Sequence, residues 1–167
     1  MATPNRSERV VRSSVLDRLV DEEPRVREDP PPNWSDSINH YKRSVLRDLE
    51  WLLNSRRTIV EVSPELTEVR SSVFFYGPPD VSSMSGDSPA VRRRLLRHLE
   101  ELIRTFEPRL SGVRVSLREN RDSASRQIRF VVDGLLHMDP DPERITFDTV
   151  LEVSSGTFVV KGEGRDA

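Results

Sequence analysis

Apolar residues first recur at helical spacing in a stretch that begins near Ser35 and ends near Asn54 or Ser55. Ser35 or Asp36 is the expected N-cap, because short polar side chains bond to the free amides of a first turn. The spacing predicts one long amphipathic helix. The apolar stripe that defines it consists of Ile38, Tyr41, Val45, Leu49 and Leu52.

A second stretch of the same kind starts at Ser88, where Pro89 suits the first turn of a helix. Proline disfavours helix at the residue before it, so Pro108 ends this helix near Glu107. The stretch therefore predicts a second amphipathic helix. Its apolar stripe consists of Val91, Leu95, Leu99, Leu102 and Phe106.

After Gly112 the period of the pattern changes from helical to two. Alternating apolar positions indicate two strands joined by a polar loop at Asn120–Ser125. The segments Ile145–Val153 and Thr157–Lys161, separated by Ser154–Gly156, indicate a final hairpin. The whole pattern predicts an α+β fold, with two principal helices packed on a C-terminal antiparallel sheet.

The N-terminal residues 1–33 differ in composition from the rest of the chain. They predict a flexible arm, with a short helix near 13–20 followed by a charged, proline-rich linker. The apolar face of that short helix calls for a docking surface, either on a partner or on its own domain. The α+β domain is expected over 34–162, and residues 163–167 form a charged tail.

Composition narrows the possible functions. The chain carries 28 acidic and 26 basic residues, for a net charge of −2, so bulk charge does not predict binding to nucleic acid or membranes. There is no cysteine, which excludes disulfides and thiolate metal sites. No apolar run approaches the roughly 20 residues that span a bilayer, and residues 1–12 lack the apolar core of a signal peptide. A cytoplasmic protein is the expectation.

The run Phe106–Leu110 lies where the second helix stops and the β-rich third begins. Glu107 and Arg109 flank the rigid Pro108, an arrangement that can hold a carboxylate and a guanidinium in fixed directions. Apolar neighbours would desolvate Glu107 and make it the best candidate for a catalytic acid. Arg109, however, favours a paired carboxylate, and no other acidic residue falls in a catalytic spacing. An ion pair is favoured, within the chain or toward a partner.

Other chemistry is not indicated. His40, His98 and His137 are scattered and no two are four residues apart, so no metal site is expected. Neither a nucleophile motif nor a phosphate-binding glycine loop occurs, and no cofactor is expected. The arginines at 92–94 favour a solvated helix face over an acidic partner or a nucleic-acid contact.

The final predicted strand is a candidate binding edge. It lies near the C-terminus, and terminal strands commonly form sheet edges, which can accept a strand from another chain. An ordinary edge protected by Lys161 and the charged tail is an equal alternative. The residues concerned are Thr157, Phe158, Val159, Val160 and Lys161.

Four sequence blocks together resemble the baseplate wedge family of contractile tails, historically labelled lysozyme-related. Within that family the chain is most similar to the TssE branch, which belongs to type VI secretion systems. Two departures, Pro78 and Ser55, affect only a loop and a helix end. The blocks are Ser14–Leu19, Asp48–Arg56, Tyr76–Asp80 and Phe106–Leu110.

The resemblance implies a structural protein that joins baseplate wedges and connects them to the first ring of the sheath. Other type VI baseplate subunits (TssF, TssG and TssK) and the contractile sheath (TssB and TssC) are the implied partners, with no nucleic acid and no membrane insertion. The alternative is a lysozyme-like peptidoglycan hydrolase acting through Glu107.

The resemblance also implies roles for particular residues. The C-terminal sheet, at Thr157–Lys161, would receive sheath strands. The residues implied to bind baseplate partners are Glu107, Pro108 and Arg109 in the corner and Leu16, Asp17, Arg18 and Leu19 near the N-terminus.

Overall fold

A computed structural model describes residues 11, 13–20, 24–25, 33–63, 65–80, 88–118, 127–139 and 141–162. Most of the predicted N-terminal arm, the polar loop at 120–125 and the charged tail at 163–167 lie outside the described residues. The chain divides into two compact units, Met1–Val45 and Leu46–Ala167. The boundary falls within one continuous helix, and each unit is described by itself below.

The first unit contains a short helix, α1, at Val15–Leu19. Ser14 and Asp17 close its N-terminus by a reciprocal capping box. The Asp17 amide donates to Ser14 Oγ at 3.1 Å, and the Ser14 amide donates to Asp17 Oδ2 at 3.3 Å. Each side chain thereby satisfies an amide that a helix start leaves without a partner. The Asp17 side chain is buried.

The long helix α2 spans Trp34–Asn54 and confirms the first predicted helix. Its N-cap is Asn33 and not Ser35 or Asp36, because Asn33 Oδ1 accepts from the Asp36 amide at 2.9 Å. Asparagine is among the strongest N-cap residues, so the helix begins slightly earlier than predicted. It ends at Asn54, where the apolar period also ends.

Two short elements and a long helix follow in the second unit. Residues 59–62 form no helix or strand and pair with no described strand. A short helix, α3, spans Thr67–Arg70, and a 3₁₀ turn spans Val73–Phe75. Helix α4 spans Pro89–Phe106 and confirms the second predicted helix, including its end before Glu107.

Four antiparallel strands form one sheet in the order β1-β2-β3-β4. They confirm the predicted α+β architecture, because the alternating C-terminal segments do form a single sheet. The strands span Leu110–Leu117 (β1), Gln127–Leu136 (β2), Glu143–Glu152 (β3) and Thr157–Gly162 (β4).

A bulge places the start of β1 earlier than the sequence pattern indicates. The register with β2 shifts between Ser111 and Arg114, and Gly112 within this shift has a φ of +60°. An extra residue with positive φ lets a strand bend without ending, and glycine adopts that conformation readily. Gly112 therefore lies inside the strand instead of preceding it.

One face of the sheet carries the apolar core of the second unit. The pairs Val132↔Phe147 and Leu151↔Phe158 place large side chains side by side across the strands. Phe158 also meets Phe130 edge-on at 6.1 Å between ring centroids. The helices contribute further fully or nearly fully buried side chains: Leu49, Leu52 and Leu53 from α2, and Leu95, Leu99 and Ile103 from α4.

Thr149 on β3 is a polar exception in this core. Its side chain is 1% exposed, and Oγ1 has no hydrogen-bond partner among the described residues. Replacing Thr149 with valine should raise the free energy of unfolding by about 1–2 kcal/mol, because a buried hydroxyl without a partner loses its bonds to water. Denaturant titration measures the change.

The control is Thr146→Val on the same strand, since Thr146 Oγ1 donates to Asp133 Oδ1 at 2.8 Å. That substitution should destabilise the protein by about 1 kcal/mol. Equal destabilisation by both substitutions would show that the Thr149 hydroxyl is satisfied in solution.

Candidate functional site

The backbone of the corner between α4 and β1 is fixed from both sides. The Glu107 amide donates to the Ile103 carbonyl at 2.8 Å, which completes the last turn of α4. The Glu107 carbonyl accepts from the Leu110 amide at 3.1 Å, and the Arg109 carbonyl accepts from the His137 amide at 2.8 Å. The corner is therefore bonded to the helix that precedes it and to the end of β2.

The two charged side chains of the corner bind each other. Arg109 donates from Nε to Glu107 Oε1 at 2.7 Å and from Nη2 to Glu107 Oε2 at 2.5 Å. Only 4% of Glu107 is exposed, and 19% of the Arg109 side chain. A bidentate pair of this geometry is stronger than a single charged contact. It also answers the question that the sequence left open, since the charges pair within the chain.

A third charged residue, Asp48 of α2, completes the cluster. Arg109 Nη2 also donates to Asp48 Oδ2 at 2.6 Å, and Arg47 donates to the other Asp48 oxygen from Nη2 at 2.8 Å. Sequence reasoning did not single out Asp48. Its position in the sequence could have identified it. Asp48 follows Val45 by three residues and precedes Leu52 by four, so it lies on the apolar stripe of α2. A carboxylate there needs a buried cation.

The cluster holds its guanidinium in the charged form. Burial alone lowers the pKa of Arg109, but the hydrogen bonds and negative charges of Glu107 and Asp48 outweigh burial and raise the pKa above its ordinary value. Burial raises the pKa of the nearby Tyr76 phenol, and the charges of Asp48 and Glu107 raise it further. One cation is therefore shared by two carboxylates, with a neutral phenol beside them.

The loop that carries Tyr76 packs against both long helices of the second unit. The Tyr76 ring meets the ring of Phe106 edge-on, with 5.3 Å between centroids. Gly77, at a φ of +108°, brings its backbone against the carbonyl of Ser55 just after α2. Three of the four sequence blocks therefore meet at this site, although long stretches of chain separate them.

The geometry suits a rigid joint better than an acid catalyst. Both Glu107 oxygens are occupied by Arg109, and one nitrogen binds both carboxylates, so no substrate-sized space separates them. A neighbouring groove of about 810 Å³ is lined by Phe106, His98 and Glu101, among others, but not by Glu107 or Asp48. Within the described part of the chain, no group of acidic or histidine side chains could hold a metal ion.

The predicted binding edge is β4, one of the two outer strands, which pairs only with β3 in the described sheet. Its side chains alternate between the core and solvent, as expected for a strand with one covered face. Phe158 and Val160 are buried, while Thr157, Val159 and Lys161 are exposed.

The four residues near the N-terminus that the resemblance implies bind baseplate partners differ in their exposure to solvent. Asp17 is buried and bonds to Ser14, which stabilises the start of α1. Leu16 and Leu19 are 53% and 77% exposed, and Arg18 is also exposed. These residues lie in the first unit and the corner lies in the second. None of the described helices is both long enough and apolar enough to cross a membrane.

Comparison with known protein families gives a match. A family model described as baseplate wedge protein gp25 matches residues 39–141, more than half of the chain. The matched stretch contains Asp48, the Tyr76–Asp80 loop and the whole Glu107–Arg109 corner. No curated protein and no solved structure matches the chain.

Proposed function

Because this chain belongs to the family of baseplate wedge protein gp25, we propose that it is a structural baseplate component of a type VI secretion system. It joins wedge subunits in the cytoplasm and nucleates polymerisation of the contractile sheath. Family membership supports a structural role in the baseplate of a contractile injection system. The observation that carries the proposal is that the matched stretch contains the complete charged corner.

The corner supplies a stiff surface for binding another baseplate subunit, TssF, TssG or TssK. Asp48 and Glu107 hold Arg109 from two sides, which leaves the exposed Pro108 at the tip of a fixed turn. A preorganised surface loses little conformational entropy on binding, so it can bind a partner with few contacts. The internal charge pairs thus serve binding by shaping the turn.

Helix α1 supplies a second contact. Leu16 and Leu19 are mostly exposed in the isolated chain, and together with the exposed Val15 they form an apolar surface on α1. Burying such side chains contributes about 25 cal/mol per Å² of apolar area, so docking on another baseplate subunit stabilises both proteins. The capping box of Ser14 and Asp17 keeps this short helix formed.

The sheath subunits TssB and TssC are proposed to bind at Thr157–Lys161, by adding a strand to β4. Strand addition uses main-chain hydrogen bonds at a sheet edge, and β4 is such an edge. Deleting this segment is a poor test, because Phe158 and Val160 belong to the core. Its loss would unfold the sheet whether or not a partner binds there.

The test is sheath assembly in the source bacterium, followed by fluorescence of a tagged sheath subunit. Cells that lack this protein should form no sheaths, and the wild-type chain should restore them. Cells that carry the double substitution Leu16→Ser and Leu19→Ser should form about tenfold fewer sheaths than cells that carry the wild-type chain, or fewer still. The reason is that the docking surface loses apolar area worth more than ~1.4 kcal/mol. Its purified form should melt within about 1 °C of wild type, since exposed side chains contribute little to stability.

Two results would contradict the proposal. The first is normal sheath assembly without the protein. The second is peptidoglycan degradation by the purified chain that disappears in Glu107→Gln, which would support the hydrolase alternative. A variant that forms no sheaths and also has a lower melting temperature than wild type would indicate misfolding. The melting temperature of each variant is therefore measured before its sheath assembly is compared.

A further inference from the structure

Both edges of the sheet carry helix side chains that bond to main-chain groups facing outward. In an antiparallel edge strand, alternate residues point both their N–H and C=O away from the neighbouring strand. An added strand must bond to these same groups. The two edges differ in how many such positions the helices already occupy.

At the β1 edge, two charged side chains of α4 occupy successive outward positions. Arg104 Nη2 donates to the Val113 carbonyl at 2.9 Å, and Glu100 Oε2 accepts from the Val115 amide at 3.4 Å. Arg104 and Glu100 also form an ion pair with each other. A strand added here would have to displace hydrogen bonds to charged groups, which are stronger than neutral ones. After Val115, the described part of β1 has one more outward-facing residue, Leu117, at the end of the strand.

At the β4 edge, a single neutral side chain occupies one outward position. Asn54, the last residue of α2, accepts from the Phe158 amide at 2.9 Å and donates to the Phe158 carbonyl at 2.9 Å. Its carboxamide therefore bonds to Phe158 as a residue of an added strand would. By the alternation of the strand, Val160 and Gly162 face the same way. No described group bonds to their outward sides.

We infer that a partner strand adds at β4, bonds to Val160 and Gly162, and stops at Phe158. The Asn54 carboxamide sets where this pairing ends, while the charged side chains of α4 that bond to β1 direct the strand away from the opposite edge. The inference rests on the proposed function, since it specifies where the sheath strand pairs. On the solvent face the partner strand lies beside the exposed Val159 and Lys161. An apolar or β-branched residue and an acidic residue complement these two positions.

Residue-level amide hydrogen exchange, measured by NMR on the full chain, tests the inference. In the free chain the Phe158 amide should exchange slowly, whereas the amides of Val160 and Gly162 should exchange fast. Adding the purified TssB–TssC sheath complex should slow exchange at Val160 and Gly162 by about tenfold or more, because these amides gain main-chain partners. Exchange at Phe158 should not change.

The variant Asn54→Ala provides the matched control. Its Phe158 amide should lose protection in the free chain and regain it with the sheath complex, because the added strand can then extend by one residue pair. The Val132 amide on β2, inside the sheet, reports whether the variant is folded.

Different failures have different meanings. Fast exchange at Phe158 in the free wild-type chain would overturn the role of Asn54. New protection at Leu117 in place of Val160 would overturn the inference and the strand addition to β4, while the structural role in the baseplate would stand. If the sheath complex does not co-sediment with the chain, the proposed sheath contact is wrong, and the inferred strand pairing with it.

Discussion

Replacing Arg109 with alanine is expected to lower the free energy of unfolding by about 3–5 kcal/mol. The substitution leaves Glu107, which is 4% exposed, and Asp48 side by side without the cation they share. Removing one partner of a buried ion pair is costly, because the remaining charge can neither return to water nor find a new partner. Domains are stable by only about 5–15 kcal/mol, so the melting temperature should fall by about 10 °C or more.

Denaturant unfolding of the purified chain measures this loss. The matched control is Arg118→Ala, which removes a guanidinium 2.5 Å from Asp148 on the exposed side of the sheet. That pair is solvent-screened, and its loss should cost about 0–1 kcal/mol. If both substitutions cost the same, the corner is not the buried cluster that the structure shows.

Arg109→Lys separates charge from geometry. Lysine keeps the positive charge but presents a single ammonium, which cannot form the fork that binds both Glu107 oxygens. We expect a loss of stability between those of wild type and Arg109→Ala. A lysine variant as stable as wild type would indicate that charge alone holds the corner.

The second large effect is expected at Gly77. In Gly77→Ala a Cβ would lie 2.6 Å from the carbonyl carbon of Ser55 and closer still to its oxygen, and neither backbone atom can rotate away. The φ of +108° adds strain for any side chain. The substitution should cost at least about 3 kcal/mol, or displace the loop that carries Tyr76 away from Phe106.

Gly112→Ala is the control for this substitution. Gly112 also has a positive φ, +60°, but a Cβ there meets nothing within 4 Å. Its cost should be that of the backbone conformation alone, about 1–2 kcal/mol. Thermal unfolding of both variants, with near-ultraviolet circular dichroism to follow the tyrosine environment, separates the two contributions. Similar melting temperatures would mean that the loop can move off Ser55 freely.

Most of the fold could be predicted from local pattern. Apolar residues at helical spacing in α2 and α4, and alternating residues in the four strands, reflect which side of each element faces the core. Pro108 likewise marks the end of α4, because its effect depends only on the residues beside it. The errors were also local. Asn33 competes with later polar residues as the N-cap, and Gly112, after which the alternating pattern was predicted to begin, forms a bulge inside β1.

The contacts that make the site could not be predicted in this way. Asp48 and Arg109 are 61 residues apart, and Asn54 and Phe158 are 104 apart. Nothing local requires either pair to meet. A charged residue on an apolar stripe indicates only that a partner exists, and an asparagine at a helix end has several common uses.

The sequence by itself determined the helices and strands of this protein and the corner at Glu107–Arg109. Through four short blocks it also determined the resemblance to a baseplate family. Tertiary structure alone decided that the corner charges pair within the chain, that Asp48 joins them, and that helix side chains occupy two outward positions on β1 but one on β4. The physical reason is the range of the interactions. Periodicity and proline act within a few residues, whereas a buried charge or an edge amide is satisfied by whichever group the fold brings near.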